Sequence, residues 1–508
     1  MLDICNQLFS TWNNQSIQYC HWKSNEHLME GLDGKTDLDV LLLKNHKEQG
    51  CALLKELGFL HFFSQFASRY PNVEDWLGFD AETGKLVHLH LHFAMVTGHT
   101  GIKEYELPWT NEALLSRIQD KETGVYIINP NLELITLYTR LVLKAKPEWI
   151  KAARAGNYSM DKHFHTEITF IKERIIWIEF ETLVEHYYGE YSEDFIQCAK
   201  ADILSAEQFL KLYDIVCETM KSCLRFRGLS LTIRRFFYPI VKRMKTKLNN
   251  HWGFVFVTKK VADPLNGFSV AFIGQDGSGK STVTSDIKKW LNWKVDARRF
   301  YLGSGDYRGI LKRLLSRVPK TKQVSEKATD NKVSTENNEP KNKKKKSIKS
   351  FIVAVLTAED FVIIARRAYK EACKAEKYRR KGGVVLYDRF PQIQFEGIND
   401  GPKVVDYYTK TGLDYDILKL MAKKEMRYLR KTQRYRPQIV FKLLLPPEES
   451  QRRRPSDNIE FLRRKHEITK ALQFDGSKIL IVDATQDYQQ ELIYIKNVIW
   501  KYLKESQQ

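Results

Sequence analysis

The residues FSVAFI at 268–273 form an apolar strand pattern that opens directly into Gly274-Gln275-Asp276-Gly277-Ser278-Gly279-Lys280-Ser281-Thr282, and a helical pattern follows over 283–291. No other stretch constrains the fold as tightly. G-x-x-x-x-G-K-[ST] between a buried strand and a helix is the sequence of a phosphate-binding loop. Its glycines let the backbone turn N–H groups inward around phosphate, and the helix N-terminus adds a favourable dipole. Lys280 is placed to reach the β- and γ-phosphates of ATP, and the Ser281 hydroxyl to ligate Mg2+. Gly274, Asp276, Gly277, Ser278, Gly279 and Thr282 complete the expected nucleotide cradle. Further strand patterns at 383–387, 439–445 and 478–482 alternate with helical ones. The expected fold class is therefore α/β, with a doubly wound parallel sheet.

The loop alone indicates nucleotide binding, and three further features narrow the chemistry. Residues 384–391 (VVLYDRFP) put Asp388 at the C-terminal end of a buried strand. There a second carboxylate can hold Mg2+ through water, beside Arg389 aimed at phosphate. Arg452, Arg453 and Arg454 follow the strand at 439–445 and precede a helix, a position from which an arginine cluster can close over a transferring phosphoryl group. Asp276 lies inside the loop, where plain ATP hydrolysis needs no carboxylate but an acceptor hydroxyl can be gripped.

Together FIGQDGSGKST at 272–282, Asp388-Arg389-Phe390, the arginine cluster and ILIVDA at 479–484 resemble thymidylate kinase over 267–505. The resemblance implies a nucleoside-monophosphate-kinase fold, ATP as donor and a phosphate-bearing small molecule as acceptor. By that analogy Asp276 holds an acceptor ribose hydroxyl and Arg389 the acceptor phosphate. Asp388 organises Mg2+, and Arg453 and Arg454 stabilise the transition state. Arg366 and Arg367 sit where the family places another phosphate-binding arginine, and residues 483–484 lie beside adenine. The family also implies a homodimer. Ser278 stands where the loop often carries arginine, Phe390 replaces the usual tyrosine, and PQIQFEG at 391–397 replaces the thymidine-reading stretch. Phosphoryl transfer thus carries over better than dTMP as acceptor. A sugar phosphate stays open, because the larger thymidylate-kinase-like proteins found with bacterial surface-polysaccharide genes resemble this chain most.

The N-terminal part, residues 1–142, reads as an α+β domain. Its pattern G-x-x-D-x-D-h-h places Asp37 and Asp39 two apart on one strand, so both point to one face and can share a divalent metal. With the strand VHLHLHF at 87–93 this resembles the nucleotidyltransferase fold. His90 occupies the position of that family's third carboxylate. His88, His90 and His92 share a strand face, so a mixed His/Asp metal site, a ligand-binding cleft without catalysis, and a purely structural cluster are all open readings.

A chain of 508 residues is too long for one core. A helical region and basic connector at 143–250 separate the two domains, and the kinase-like domain spans 265–505. Seven scattered cysteines without a CxxC pair argue against a disulfide framework. The N-terminus lacks the form of a signal peptide, and no segment is apolar enough to span a bilayer, so a cytoplasmic location is expected. Residues 224–260 hold ten Lys/Arg and no acidic residue, interleaved with aromatics. They read either as a connector packed on the kinase domain or as a helix resting on anionic lipid at the inner membrane surface. Residues 319–350, with ten lysines and four acidic residues, are expected to be disordered. Nucleic acid is not an expected partner, since charge outside these segments is near neutral. The alternative to a kinase is a nucleotide-sensing scaffold or ATPase switch that engages a membrane-surface or nucleic-acid partner through the basic segments.

Overall fold

The computed structural model describes residues 1–65, 69–251, 254–304 and 348–507. Of the insert expected to be disordered, residues 319–347 lie outside these. The chain divides into two compact units: Met1–Leu265 with Asn292–Asp296 and Leu492–Gln508, and Asn266–Leu291 with Ala297–Glu491.

The first unit carries strands β1 (Tyr19–His21), β2 (Asp37–Leu42), β3 (Leu60–Phe62), β4 (Val73–Asp80), β5 (Lys85–His92), β6 (Val96–Thr97), β7 (Tyr105–Glu106), β8 (Ile118–Gln119) and β9 (Tyr126–Ile127). Seven of them form a mixed sheet in the order β3-β4-β5-β2-β1-β9-β8. Side chains alternate between the faces of a strand, and here the alternation sorts the sheet sharply. Leu38, Val40, Leu42, Leu89 and Leu91 face a core shared with Leu8, Phe9 and Trp12 of the helix Asp3–Asn14. The opposite face receives Asp37, Asp39, His88, His90 and His92. Register is fixed because a one-residue slip would drive two carboxylates into that core. It pairs Asp37 with His88 and Asp39 with His90 across the parallel β2–β5 ladder, and Asp75 with His90 across β4–β5.

Helices then pack around the fully buried helix Pro130–Leu143. Over 168–188, where apolar residues recur at helical spacing, the chain is in two helices, Lys162–Lys172 and Trp177–Tyr188. Asn131 explains the break: its side-chain oxygen accepts from the backbone N–H of Ile176 at 2.8 Å, and its amide donates to Glu179 at 2.8 Å. That satisfies the exposed start of the second helix. Among the described residues, no helix is long and apolar enough to cross a membrane.

In the second unit β10 (Ser269–Gly274), β11 (Ala297–Tyr301), β12 (Val384–Asp388), β13 (Ile439–Leu444) and β14 (Lys478–Asp483) form the expected parallel sheet, in the order β11-β12-β10-β13-β14. The five-residue β11 is a strand that sequence pattern does not announce, since its ARRFY carries two charges and lies at the sheet edge. The chain leaves β10 toward one edge and later crosses to the other. The C-terminal end of β10 is therefore the topological switch point, where open α/β sheets form their ligand crevice.

Candidate functional site

That crevice is where the loop lies. After the fully buried β10, Gly277 and Gly279 adopt φ of +84° and +82°, left-handed conformations open to glycine and strained for other residues. The helix Lys280–Leu291 starts at once, so its unpaired N–H groups point back into the loop. Lys280 is buried, and its Nζ donates to the carbonyl of Gln275 at 2.6 Å, folded over the loop it serves. Burial, and next the Arg389 guanidinium, push its ammonium down to about 8. An arriving polyphosphate offers this half-desolvated cation its natural partner.

Ser281 and Asp388 come together as the sequence implied. The serine Oγ donates to Asp388 Oδ2 at 2.9 Å. The other oxygen, Asp388 Oδ1, is buried with no hydrogen-bond partner, and the residue is fully buried. An orphaned carboxylate oxygen beside a serine hydroxyl at the foot of the phosphate loop fits a hard, oxygen-seeking ion such as Mg2+. Arg299, from β11, donates to Asp388 Oδ2 as well.

Asp276 is the hub of the loop. Its Oδ2 pairs with Lys465 Nζ at 2.7 Å, and its Oδ1 accepts from Arg389 Nη2 at 3.0 Å. Burial opposes its charge, yet Lys465, Lys280 and Arg389 hold the carboxyl well below the usual range. Arg389 follows β12 with φ of +69°, an uncommon conformation for a non-glycine residue that costs about 1–3 kcal/mol. Its N–H donates to Phe272 O at 3.2 Å, which anchors the turn to β10, and its other guanidinium nitrogen lies 3.6 Å from Asp400. The recess lined by Gly274, Lys280, Arg389, Phe390, Asn399 and Asp400 is narrow, about 10 Å3.

The arginine cluster is placed unevenly. Arg453 donates to the carbonyls of Gly277 at 3.1 Å and Ala484 at 3.4 Å, which ties the loop to the end of β14. Arg452 is exposed and paired with Glu449, and Arg454 is exposed at the helix end. Arg366 and Arg367 are exposed on the helix Ile348–Arg379. That helix ends with Arg379 bonded to the Gly267 carbonyl at the start of β10. Counting back at 1.5 Å per residue puts both arginines roughly 18–20 Å along the helix from Arg379.

In the first unit, the face predicted from alternation gathers more than the sequence named. Asp37 pairs with His88 at 2.8 Å and with Lys294. Asp39 meets His90 at 3.3 Å, His92 at 3.2 Å and Lys23 at 2.8 Å. Asp75, from β4, lies 3.2 Å from both His88 and His90. Asp39, Asp75, His90 and His92 line a cleft of about 230 Å3 with Lys23 and Lys103.

Comparison with known proteins finds relatives named as ATP-binding. The chain is 28% identical over 227 residues to the uncharacterized ATP-binding protein YghR of Escherichia coli strain K12, covering 44% of this chain and 83% of that protein. It is 25% identical over 218 residues to the uncharacterized ATP-binding protein YghS of the same strain, covering 42% and 84%. No family model matches. Among solved structures, deoxyadenosine kinase from M. mycoides with bound dCTP aligns with 46% of this chain and 98% of that chain, at 14% identity and a TM-score of 0.29. The same enzyme with dATP gives 13% and 0.26.

Sequence reasoning missed three residues that the fold delivers: Lys465 on Asp276, Arg299 on Asp388, and Asp75 between His88 and His90. Lys465 had a weak signal, as the buried lysine of an otherwise amphipathic helix, Ile459–Ala471. The other two lie on strands whose polar content hides them.

Proposed function

We propose that the second unit transfers a phosphoryl group from ATP to a small-molecule acceptor that itself carries phosphate, a nucleoside monophosphate such as dTMP or a sugar phosphate. The observation that carries this is Asp276: a carboxylate inside the phosphate loop, held ionised by Lys465 and Arg389. A hydrolase or switch has no use for it. An acceptor phosphate draws Arg389 away from Asp276, which frees that carboxylate to accept a hydroxyl hydrogen bond from the acceptor and opens the narrow recess. Arg389, Lys280 and Arg453 then surround the phosphates, where fixed cations stabilise developing charge. Ser281 and Asp388 would hold Mg2+, which would supply positive charge against the phosphates. The likeness to proteins named as ATP-binding supports ATP as the donor.

The test is an acceptor screen with purified full-length protein, labelled ATP and Mg2+, read as product mass. ADP and a phosphorylated product should appear together, dependent on acceptor. Rapid ATP hydrolysis that no phosphomonoester accelerates would overturn the reading.

A second reading concerns where the protein works. The helix Leu229–His251 leaves Leu229, Ile233, Phe236, Ile240 and Met244 exposed at three- to four-residue spacing, with Leu229 at 75% and Phe236 at 63%. It carries six Lys/Arg and no acidic residue. An exposed apolar stripe on a basic helix matches an anionic lipid surface. Pelleting with vesicles that contain phosphatidylserine should carry the protein down. Equal recovery with neutral vesicles, or none with either, removes this reading while leaving the kinase reading untouched.

A further inference from the structure

The polar face of the first unit does not balance its protons. Five close contacts join imidazole nitrogens to carboxylate oxygens: His88 Nδ1 to Asp37, His88 Nε2 to Asp75, His90 Nδ1 to Asp39, His90 Nε2 to Asp75, and His92 Nε2 to Asp39, all between 2.8 and 3.3 Å. Each carboxylate already has an ammonium beside it: Lys294 for Asp37, Lys23 for Asp39 and Lys260 for Asp75. All three are therefore ionised acceptors. A neutral imidazole has one N–H, so three histidines supply three donors for five contacts. Charging one of them raises this to four. With no more than one imidazole charged, at least one imidazole lone pair faces a carboxylate oxygen, an arrangement that repels unless a cation lies between them.

Geometry decides which of these groups a ligand can reach. His88 is fully buried and does not line the cleft. His90, His92 and Asp39 instead line the cleft, and each offers one ligand atom within 4.8 Å of the others. Asp75 accepts from His90 Nε2 and is itself fixed by Ser64 Oγ at 2.7 Å. In the neutral tautomer that donates from Nε2 to Asp75, the Nδ1 lone pair of His90 faces Asp39. A carboxylate behind a histidine whose other nitrogen faces a ligand cluster is the outer-shell arrangement of metal sites.

We propose that Asp39, His90 and His92 bind one divalent first-row transition-metal ion, from manganese to zinc, with Asp75 as the positioning residue behind His90. Two imidazoles and one carboxylate select that class over Mg2+ or Ca2+, which favour all-oxygen shells. Three protein ligands leave positions open toward the cleft, so the ion is accessible to small molecules. Lys23 shares Asp39 Oδ1 and competes with the ion for it. The shared-metal expectation for Asp37 and Asp39 is thereby narrowed. Asp39 is a ligand, and Asp37 is held by His88 and Lys294 outside the lining of the cleft.

Chelator-treated full-length protein, free of nucleotide, is titrated with Co2+, Zn2+ and Mg2+ by calorimetry. The expected result is one equivalent of Co2+ or Zn2+, no Mg2+ heat, and at least a tenfold loss of affinity in both His90→Gln and His92→Gln. The seven free cysteines are the competing sites, and bound Co2+ should show visible d–d bands without a thiolate charge-transfer band. Should either variant misfold, spin-echo modulation of Mn2+ bound to the unmodified protein reads imidazole nitrogen directly. No binding of Co2+ or Zn2+, a thiolate band, absent nitrogen modulation, or unchanged affinity in folded variants overturns the proposal.

Discussion

The two polar clusters use the same kinds of charge in opposite proportion. At the phosphate loop, Lys280, Arg299, Arg389, Lys465 and Arg453 gather around two carboxylates, Asp276 and Asp388. Cations are in excess, and glycine-rich backbone adds N–H dipoles of the same sign. On the sheet face, three aspartates meet three lysines one for one, and three imidazoles add lone pairs. The first arrangement suits an anion, and the second, on our proposal, a divalent cation. A loop at a strand end can turn backbone donors toward a ligand, whereas a sheet interior has its backbone committed to the ladder and must recognise with side chains alone.

The largest expected effect separates the two clusters outright. Lys280→Ala should lower ATP turnover by roughly 10²- to 10³-fold, the scale for losing one charge-stabilising group in a closed site. Co2+ affinity in the same variant should be unchanged. Parallel steady-state and calorimetric measurements check both, and a fall in both would show that the clusters are not independent. Next in size is Asp75→Asn, which keeps every proposed metal ligand but weakens the partner behind His90. Co2+ affinity should fall by about 10- to 100-fold with ATP turnover intact.

A smaller effect sharpens the roles within the loop. Asp276→Asn removes the charge that holds Arg389 and Lys465 and leaves the backbone cradle. KM for the acceptor should rise about ten- to thirtyfold, the scale of a lost charged hydrogen bond, while KM for ATP stays within about twofold. A rise in KM for ATP alone would place Asp276 with the donor.

What could be read beforehand follows the same division. Strands β10, β12 and β13 are runs of apolar residues buried on both faces, and such runs announce themselves. The loop was legible because its glycines are demanded by backbone geometry, a local cause. β4 and β11 were not. VEDWLGFD and ARRFY look like loops, since their charges become tolerable only once partners from other strands arrive. Asp75 and Arg299 sit on those two strands, so each was hidden for the reason that makes it useful. The positive φ of Arg389 was equally invisible, because nothing in DRFP demands it without the bonds to Phe272 and Asp276.

The contrast reaches buried carboxylates. Asp276, ringed by cations, is held ionised, whereas Glu133 on the helix Pro130–Leu143 is held protonated. Burial, with Glu167 and Glu26 nearby, pushes it up to about 8 from an ordinary 4.5, against stabilisation from Asn25, whose N–H donates to it at 3.3 Å. The folded state therefore binds a proton that the unfolded chain releases between these two values. Across that window the unfolded chain carries fewer protons, so stability falls as pH rises, by up to about 1.4 kcal/mol per unit. The contribution is complete below about 4.5 and lost once pH passes about 8. Glu133→Gln keeps the shape and removes the titration. Its urea midpoint should match that of the unmodified protein near pH 5 and exceed it increasingly toward pH 8, the difference cancelling titrations common to both. Parallel curves over this range would mean that Glu133 is ionised in the fold, and the contrast with Asp276 would disappear.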